Sequence, residues 1–451
     1  MKKKLLSMLL ASSMVAGALS GCGSPASDEG GKKVLNIWCW NDEFQSRFND
    51  YYPEVKSVAK DKSTTTLKDG TTVKWTIHPN KDNVYQNKLD EALKVQADAA
   101  ADEKIDMFLI EADYALKYVD ADADVAMPLT DVGLSEQDLA DQYQYTKDIV
   151  TDAKGQQRAT SWQAAPGLFA YRRSIAKAVL GTDEPEKVQA ALSDWQKFSD
   201  VASKAKEKGY QMLSGYDDSF RVFSNNVEKP WVEGTTVTVD KNIMNWIEQT
   251  KTFTDRGYNN KTSLWDDTWA KDQGVGAKVF GFFYSTWGIN FTLVANAGEE
   301  GKGDWATCNG PQPYYWGGSW LVAANGTDNV DTIKDIMLKL TCTKDIMKEM
   351  TLNQEIQDYT NTVSGMKEIA ESSSFKSEFL GGQNHVALFA DVAPKIDMSN
   401  VSPYDQGCNE KIQNAFRDYF NGNVDFDTAK KNFEAAIKEV YPDIKEVVWP
   451  E

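Results

Sequence analysis

Hydrophobic and polar positions follow two different periods along this chain, and each change of period predicts a strand followed by a helix. Leu35, Ile37 and Cys39 alternate with polar or large aromatic residues, which is the two-residue period of a strand. The next segment, EFQSRFNDYY, has apolar residues at helical spacing. The same change recurs at TVKWTIH before VYQNKLDEALKVQADAAA, and at KIDMFLIE before DYALKYV. This order predicts the βαβ arrangement of a doubly wound α/β domain.

A second α/β region is predicted in the middle of the chain. LFAYRRSIAKAV and YQMLSGYDD flank the helical pattern SDWQKFSDVASKAKEKG, which ends at a glycine after a basic last turn. The apolar segment KVFGFFYSTWGINFTLVANAG follows, and then a predicted loop, DWATCNGPQPYYWGGSWLVAA. The last part of the chain predicts helices at VDTIKDIMLKLT, NEKIQNAFRDYF and DTAKKNFEAAIKEVY. Nearer the start, STTTLKDGTT predicts a hairpin-like excursion before a strand.

The first residues have the organisation of an export signal. MKKKLLSMLLASSMVAGALSGCGS combines three lysines, a short apolar run, small residues and a cysteine, and is too short for a lasting membrane span. Its end, LSGC, resembles the lipobox of bacterial lipoproteins, with ordinary cleavage as the alternative. That resemblance implies cleavage of residues 1–21 and lipid attachment at Cys22, where two acyl chains give durable anchoring. Residues 22–33 then form a flexible Gly/Ser/Asp tether.

The charge and the rare residue types exclude several kinds of partner and cofactor. The 451 residues carry a net charge of −18, and loss of the three lysines in residues 1–21 makes it −21, which argues against nucleic acid. His78 and His385 are the only histidines, so the commonest general base and metal ligand is scarce. The acidic segment DADADVAMPLTD has Val125 where a calcium loop requires glycine. We therefore predict no metal and no cofactor.

Five segments together resemble the large, maltodextrin-binding-like class of solute-binding lipoproteins of carbohydrate ABC importers. They are IDMFLIEADYALKYV, TSWQAAPGLFAYRRSIAKAVLG, LSDWQKFSDVASKAKEKGYQML, GVGAKVFGFFYSTWG and PQPYYWGGSW. The likeness runs over about residues 34–445. The chain departs from the family pattern at residues 276–280, GAKVF, and at Arg172-Arg173. These departures prevent the transfer of a specific sugar preference.

The resemblance implies an α/β fold of two lobes, a ligand cleft between them and a hinge of two or three crossing strands. Lobe 1 would contain residues 34–160 and 319–365, and lobe 2 residues 161–318 and 366–451. The crossings would lie near residues 159–163 and 317–321. The implied function is the binding of an extracellular sugar, expected to be an oligosaccharide, and its delivery to ABC permease subunits. The protein would be a monomer without enzyme activity, lipid-anchored to the outer side of the cell membrane, and the ATPase would be separate because the chain has no P-loop motif.

Aromatic rings and acids near predicted strand ends are the candidate sugar contacts, because ligands of such sheets lie beyond the carboxyl ends of the strands. A flat ring covers the apolar face of a pyranose, while carboxylates accept hydrogen bonds from its hydroxyls. Trp40, Trp287 and Trp316 are predicted to stack on sugar rings. The predicted hydroxyl acceptors are Glu43, Glu111 and Asp113. The remaining candidates are Asn41, Trp162 and Trp320.

Other functions remain open at this point. The same fold could bind a peptide, a polyamine or a phosphorylated solute, and a secreted glycosidase also combines carboxylates and tryptophans in a cleft. A phosphate ligand would require a glycine-rich turn or a basic cluster, and the chain offers only Arg172-Arg173 and scattered lysines. A polyamine is harder to exclude, since it also binds acids and rings through cation–π contacts.

Overall fold

The computed structural model describes residues 33–353 and 355–450. The predicted signal peptide and Cys22 lie outside these residues. The strands within them are β1 Val34–Cys39, β2 Val55–Val58, β3 Thr64–Leu67, β4 Thr72–Ile77, β5 Met107–Glu111, β6 Ala159–Thr160, β7 Gly167–Arg172, β8 Leu213–Gly215, β9 Val232–Glu233, β10 Thr236–Thr238, β11 Asn259–Thr262, β12 Gly281–Ser285, β13 Trp305–Cys308, β14 Ser319–Ala323 and β15 Glu446–Val448. The helices are α1 Glu43–Tyr51, α2 Val84–Leu93, α3 Ala115–Val119, α4 Leu129–Val132, α5 Gln144–Asp148, α6 Arg173–Leu180, α7 Pro185–Ala191, α8 Trp195–Glu207, α9 Phe220–Ser224, α10 Lys241–Arg256, α11 Asp267–Lys271, α12 Thr286–Gly288, α13 Ala295–Ala297, α14 Val330–Met337, α15 Lys344–Leu352, α16 Val363–Ala370, α17 Val386–Val392, α18 Asp405–Phe420 and α19 Phe426–Val440.

A seven-stranded sheet, here called the first sheet, has the strand order β2-β3-β4-β1-β5-β14-β6. Strands β4, β1 and β5 are parallel, and β14 runs antiparallel to β5. In β5, Phe108 and Ile110 pack into one hydrophobic core, whereas Met107 and Leu109 pack into another on the opposite face. A strand buried on both faces needs apolar residues at successive positions, which explains the run MFLI. The predicted α/β fold is confirmed, and the predicted hairpin is the antiparallel pair β3–β4.

A second sheet is built from the antiparallel strands β12-β7-β13, and the parallel pair β8–β11 continues it through a bridge between Gln211 and Val279. The chain enters this sheet at β7 and leaves it at β13. The segment predicted as a loop, residues 304–324, in fact contains β13 and β14. These short strands are specified by pairing with β7 and β5, which are distant in sequence, so local alternation did not reveal β13.

Two predicted helices show that some helix ends are set by local capping residues and others by tertiary contacts. Helix α8 begins after Asp194, whose carboxylate accepts a hydrogen bond from the Lys197 N–H at 2.8 Å, and the chain turns away at Gly209 with φ +81°. Helix α2 ends at Leu93, eight residues before the end of the predicted pattern. Just after this helix end, the Gln96 side chain accepts a hydrogen bond from the Ile105 N–H and donates one to the Ile105 carbonyl.

Three chain segments connect the two halves of the molecule side by side. The Ser161 hydroxyl donates to the carbonyl of Ser319 at 2.6 Å, and the Ala164 N–H donates to the carbonyl of Tyr359 at 2.8 Å. The two segments predicted as crossings are therefore neighbours, and residues 358–362 lie beside them. The predicted change of lobe at residue 365 falls inside α16, which follows this third segment.

The four described cysteines are unpaired thiols. Within the described ranges, the structure contains no helix of the length and apolar character that a membrane span requires.

Candidate functional site

A cavity of about 850 Å³ lies between the two sheets. The carboxyl ends of β1, β4 and β5 form one wall, the crossing segments form the floor, and residues around α11 and α12 form the other wall. Its lining residues are Trp40, Asn41, Asp42, Glu43, Ser46, Arg47, Asn80, Lys81, Glu111, Gln163, Trp265, Trp287, Asn290, Phe291, Gly317, Gly318, Ser319, Glu355, Ile356 and Asp358.

The topology of the first sheet explains why its polar residues meet here. Strands β1 and β5 are adjacent and parallel, so their carboxyl ends share one edge of the sheet. The next two parallel strands along the chain lie on opposite sides of β1, with β4 on one side and β5 on the other. Ligands of open α/β sheets bind at such a reversal of the strand order. Trp40 follows β1, and Glu111 is the last residue of β5. The structure therefore brings five candidates to the cavity wall: Trp40, Asn41, Glu43, Glu111 and Trp287.

Trp287 is held in place by the backbone of the return segment. Its indole N–H donates to the carbonyl of Trp316 at 2.8 Å, and the two rings meet nearly edge to face at 5.3 Å. Gly317 has φ +72°, and a Cβ there would lie 2.8 Å from Trp287 Nε1 and 3.5 Å from Glu111 Oε1. Only glycine fits this backbone without strain. The indole and the carboxylate therefore flank the same point of the cavity floor.

Glu43 belongs to a second charged group on the wall. Arg47 donates to Asp358 through Nε at 2.6 Å and through Nη2 at 3.1 Å, whereas the Glu43 carboxylate lies 3.8 Å from Arg47 Nη2. Burial and the nearby Asp358 carboxylate raise the pKa of Glu43 to about 7, and Arg47 only partly opposes this.

Glu111 is the corresponding acid at the end of β5. Its Oε2 atom accepts a hydrogen bond from the Asp113 N–H at 2.9 Å. Burial and the Asp113 carboxylate raise the pKa of Glu111 to about 8. Among the acids that line the cavity, Glu43 and Glu111 thus retain a proton more readily than an exposed glutamate does.

Asp113, predicted to bind ligand, instead forms an ion pair across the two halves. Its carboxylate binds both terminal nitrogens of Arg221 in α9, with Nη2 at 2.5 Å from Oδ2. This pair lines a separate, smaller cavity of about 160 Å³ together with Tyr315 and Asp405. Because its charge is satisfied there, Asp113 is not part of the larger cavity.

Three predicted tryptophans also lie outside the cavity wall. Trp162 is 1% exposed, and its indole N–H donates to Asp358 at 2.9 Å. Trp320, also 1% exposed, points from β14 into the core and donates to the carbonyl of Thr146 at 2.8 Å. Trp316 packs behind Trp287 and supports it. Neighbouring residues in an extended segment point to opposite sides of the chain. Whether a side chain lies in the core or in the cavity therefore changes from one position to the next.

The most exposed aromatic residues of the site, Trp265 and Phe291, were not among the predicted contacts. Trp265 is 56% exposed and has φ +72°, a left-handed conformation rare for a residue with a side chain. Its ring lies at 18° to that of Trp287, with 6.1 Å between the ring centres. Phe291 is 72% exposed and contacts Trp287 edge to face. A tryptophan inside the polar run SLWDDTW was a usable signal, whereas Phe291 was hidden in the apolar run INFTLV.

Comparison with known proteins gives a family and a fold. Residues 70–378, more than half of the chain, match the sequence profile of the bacterial extracellular solute-binding proteins. No curated protein sequence matches the chain.

Solved structures match over almost the whole length. An extracellular solute-binding protein of family 1 has a TM-score of 0.71 at 16% identity, covering 92% of this chain and 100% of its own. The ABC transporter associated binding protein of B. animalis subsp. lactis Bl-04, in complex with beta-1,6-galactobiose, has a TM-score of 0.66 at 16% identity, with the same coverage. The galacto-N-biose-/lacto-N-biose I-binding protein of Bifidobacterium longum, in complex with lacto-N-biose, has a TM-score of 0.66 at 14% identity, covering 91% and 98%. At these identities the likeness concerns the fold, which is that of two-lobed solute-binding proteins.

Proposed function

The chain belongs to the bacterial extracellular solute-binding proteins, and on that premise we propose that it binds a sugar between its two lobes and delivers it to an ABC permease. The proposal depends on the groups that line the cavity. The aromatic rings of Trp265, Trp287 and Phe291 form one wall of the cavity, and carboxylate and amide groups form another. A ring with apolar faces and a hydroxyl rim fits such a pair of walls.

The size of the cavity favours more than one sugar ring. Its volume of about 850 Å³ falls within the range of small-molecule sites, toward the upper end. The aromatic surface continues from Trp287 to Trp265 on one side and to Phe291 on the other. We propose an oligosaccharide, and the disaccharides in two of the solved relatives support this choice.

The lining groups come from both lobes, and this gives a reason for ligand-driven closure. A ligand that touches Trp40 on one lobe and Trp287 on the other gains its full set of contacts only when the lobes are together. The three adjacent crossings would act as the hinge, and Gly317 and Gly318 give one of them backbone freedom. We propose lobes that follow the predicted boundaries, with the third crossing at residues 358–362.

A thermal-shift screen over mono- and oligosaccharides, followed by calorimetry on the hits, tests the proposal. A sugar bound only by the folded protein raises its melting temperature. Trp287→Ala should abolish the shift, while Trp449→Ala, a half-buried tryptophan bonded to Glu434 and outside the cavity, should retain it. Absence of binding by any sugar in a folded preparation contradicts the proposal. Release of reducing sugar during the incubation would indicate a glycosidase instead.

Location and partners complete the proposal. The family places the protein outside the cytoplasm. We propose cleavage after residue 21, lipid attachment at Cys22 and a monomeric protein that presents its closed form to the permease. Detergent partition of the wild type and of Cys22→Ala in the native cell tests the anchor, because loss of the acyl chains should release the variant from the membrane.

A further inference from the structure

The cavity carries more negative than positive charge. Five acidic residues line it, against two basic residues: Asp42, Glu43, Glu111, Glu355 and Asp358 against Arg47 and Lys81. Arg47 already binds Asp358 with two nitrogens, so its charge is largely used. Lys81 is exposed, and water screens its charge. The basic side chains of the cavity therefore do not balance its acidic side chains.

The surplus is concentrated on two acids that have few partners. Within the described residues, the Glu43 carboxylate has no hydrogen-bond donor, and its nearest cation is Arg47 Nη2 at 3.8 Å. Glu111 accepts one bond from the Asp113 N–H and has no ion pair in the described part of the chain. The nearest cation, Arg221, is engaged in a two-nitrogen contact with Asp113. Burial is the main cause of the raised pKa of both acids, and Arg47 and Arg221 oppose the two shifts only in part.

The aromatic residues beside these acids also favour a cation. The Glu111 carboxylate and the Trp287 indole flank the same point above Gly317. Trp265 and Phe291 expose large parts of their rings on this side of the cavity. An ammonium group is attracted both by a carboxylate and by the face of an indole.

We propose that the sugar bound by this protein carries a free, positively charged amine, which Glu43 and Glu111 hold beside the aromatic wall. This inference rests on the proposed function and adds one substituent to the ligand. A neutral sugar would leave the protons on these acids in place, whereas an ammonium group would stabilise a charged carboxylate and donate hydrogen bonds to its oxygens.

Calorimetry with matched sugars provides the test. Each set contains the same sugar with a free amine, an N-acetylated amine or a hydroxyl group at one position, taken from the glucose and galactose series and their disaccharides. The free-amine member of at least one set should bind about tenfold more tightly than both neutral members, equal to about 1.4 kcal/mol. Equal or tighter binding of the neutral members overturns the inference and leaves the sugar-binding function standing. Binding of spermidine without any sugar overturns both.

Charge-neutral variants locate the effect. Glu111→Gln and Glu43→Gln keep the shape of the side chain, and each should reduce the preference for the amine over the N-acetylated sugar about tenfold. Affinity for the neutral sugar should fall by a smaller factor than affinity for the amine sugar, because charge-assisted hydrogen bonds are the stronger ones. Glu103→Gln, an exposed glutamate that does not line the cavity, is the matched control and should leave the preference unchanged. An unchanged preference in both glutamine variants contradicts the assignment, and Glu111→Gln alone suffices if Glu43→Gln does not fold.

Proton release gives a second readout that a purely structural role would not produce. An ammonium group beside Glu111 stabilises its charged form, so binding should expel the proton that the raised pKa retains. The titratable and charged groups near Glu111 are Asp113, Tyr114, Arg221 and Tyr315. Calorimetry in two buffers of different ionisation enthalpy should show proton release for the amine sugar and not for its N-acetylated counterpart. Equal proton release for both sugars contradicts the inference.

Discussion

Removal of the ion pair between Asp113 and Arg221 should favour the open form of the protein. This pair is a direct charged contact between Asp113, which follows β5, and Arg221 in α9. In the proposed open form, both side chains would lie in water and the pair would be lost. Arg221→Gln therefore removes an interaction that belongs to the closed form alone, provided that the two lobes remain folded.

The partial exposure of the pair sets the expected magnitude. The Arg221 and Asp113 side chains are 20% and 26% exposed, so the pair lies between a surface pair, worth about 0–1 kcal/mol, and a fully buried pair, whose disruption costs about 3–5 kcal/mol. An intermediate loss of about 1–2 kcal/mol corresponds to a factor of roughly 5–30 in the equilibrium between closed and open forms. Sugar affinity should fall by a similar factor if the ligand-free protein is mainly open.

Calorimetry and small-angle X-ray scattering measure the two consequences, which are weaker sugar binding and a larger radius of gyration without ligand. Asp113→Asn and the double variant complete a double-mutant cycle, in which the two changes should not be additive. Lys251→Gln is the control, because its ion pair with Asp255 lies within α10 and does not join the lobes. Additive effects, or an affinity loss below about twofold with an unchanged radius, would falsify the role of this pair in closure.

Three further predictions follow from individual contacts. Gly317→Ala should lower sugar affinity about tenfold or more, because the Cβ of the new alanine would press on Trp287 Nε1. Retention of wild-type affinity in calorimetry would contradict this prediction. Trp162→Phe should lower the free energy of unfolding in urea by about 1–3 kcal/mol, because Asp358 loses a buried donor; an unchanged value would argue against the core position of Trp162. Burial lowers the pKa of His385 from 6.5 to about 4. The unfolded state therefore binds the proton more readily than the folded state does. The free energy of unfolding should fall as the pH drops from about 6.5 to about 4. His385→Gln should flatten this part of the urea-unfolding profile, and an equally steep profile in the variant would refute the assignment.

The candidate residues near the strand ends show which parts of the site could be predicted from the sequence. Trp40 and Glu111 were placed correctly at one edge of the first sheet, because the βαβ pattern predicts parallel strands whose carboxyl ends coincide. Trp162 and Trp320 were chosen by residue type, and both proved to be core residues with satisfied indole N–H groups. Residue type alone cannot separate these cases, since a tryptophan has the same chemistry in a core and in a binding cavity.

By itself, the sequence determined the alternation of strands and helices, the parallel core of the first sheet and the polar edge where its strands end, because these depend on local periodicity and on the chirality of the chain. Only the tertiary structure decided which aromatic faces are exposed, that Asp113 binds Arg221, and that no basic side chain of the described residues donates a hydrogen bond to Glu43 or Glu111. Those properties depend on contacts between residues far apart in the chain. Such contacts form where the lobes and the crossing segments meet, and no local pattern records them.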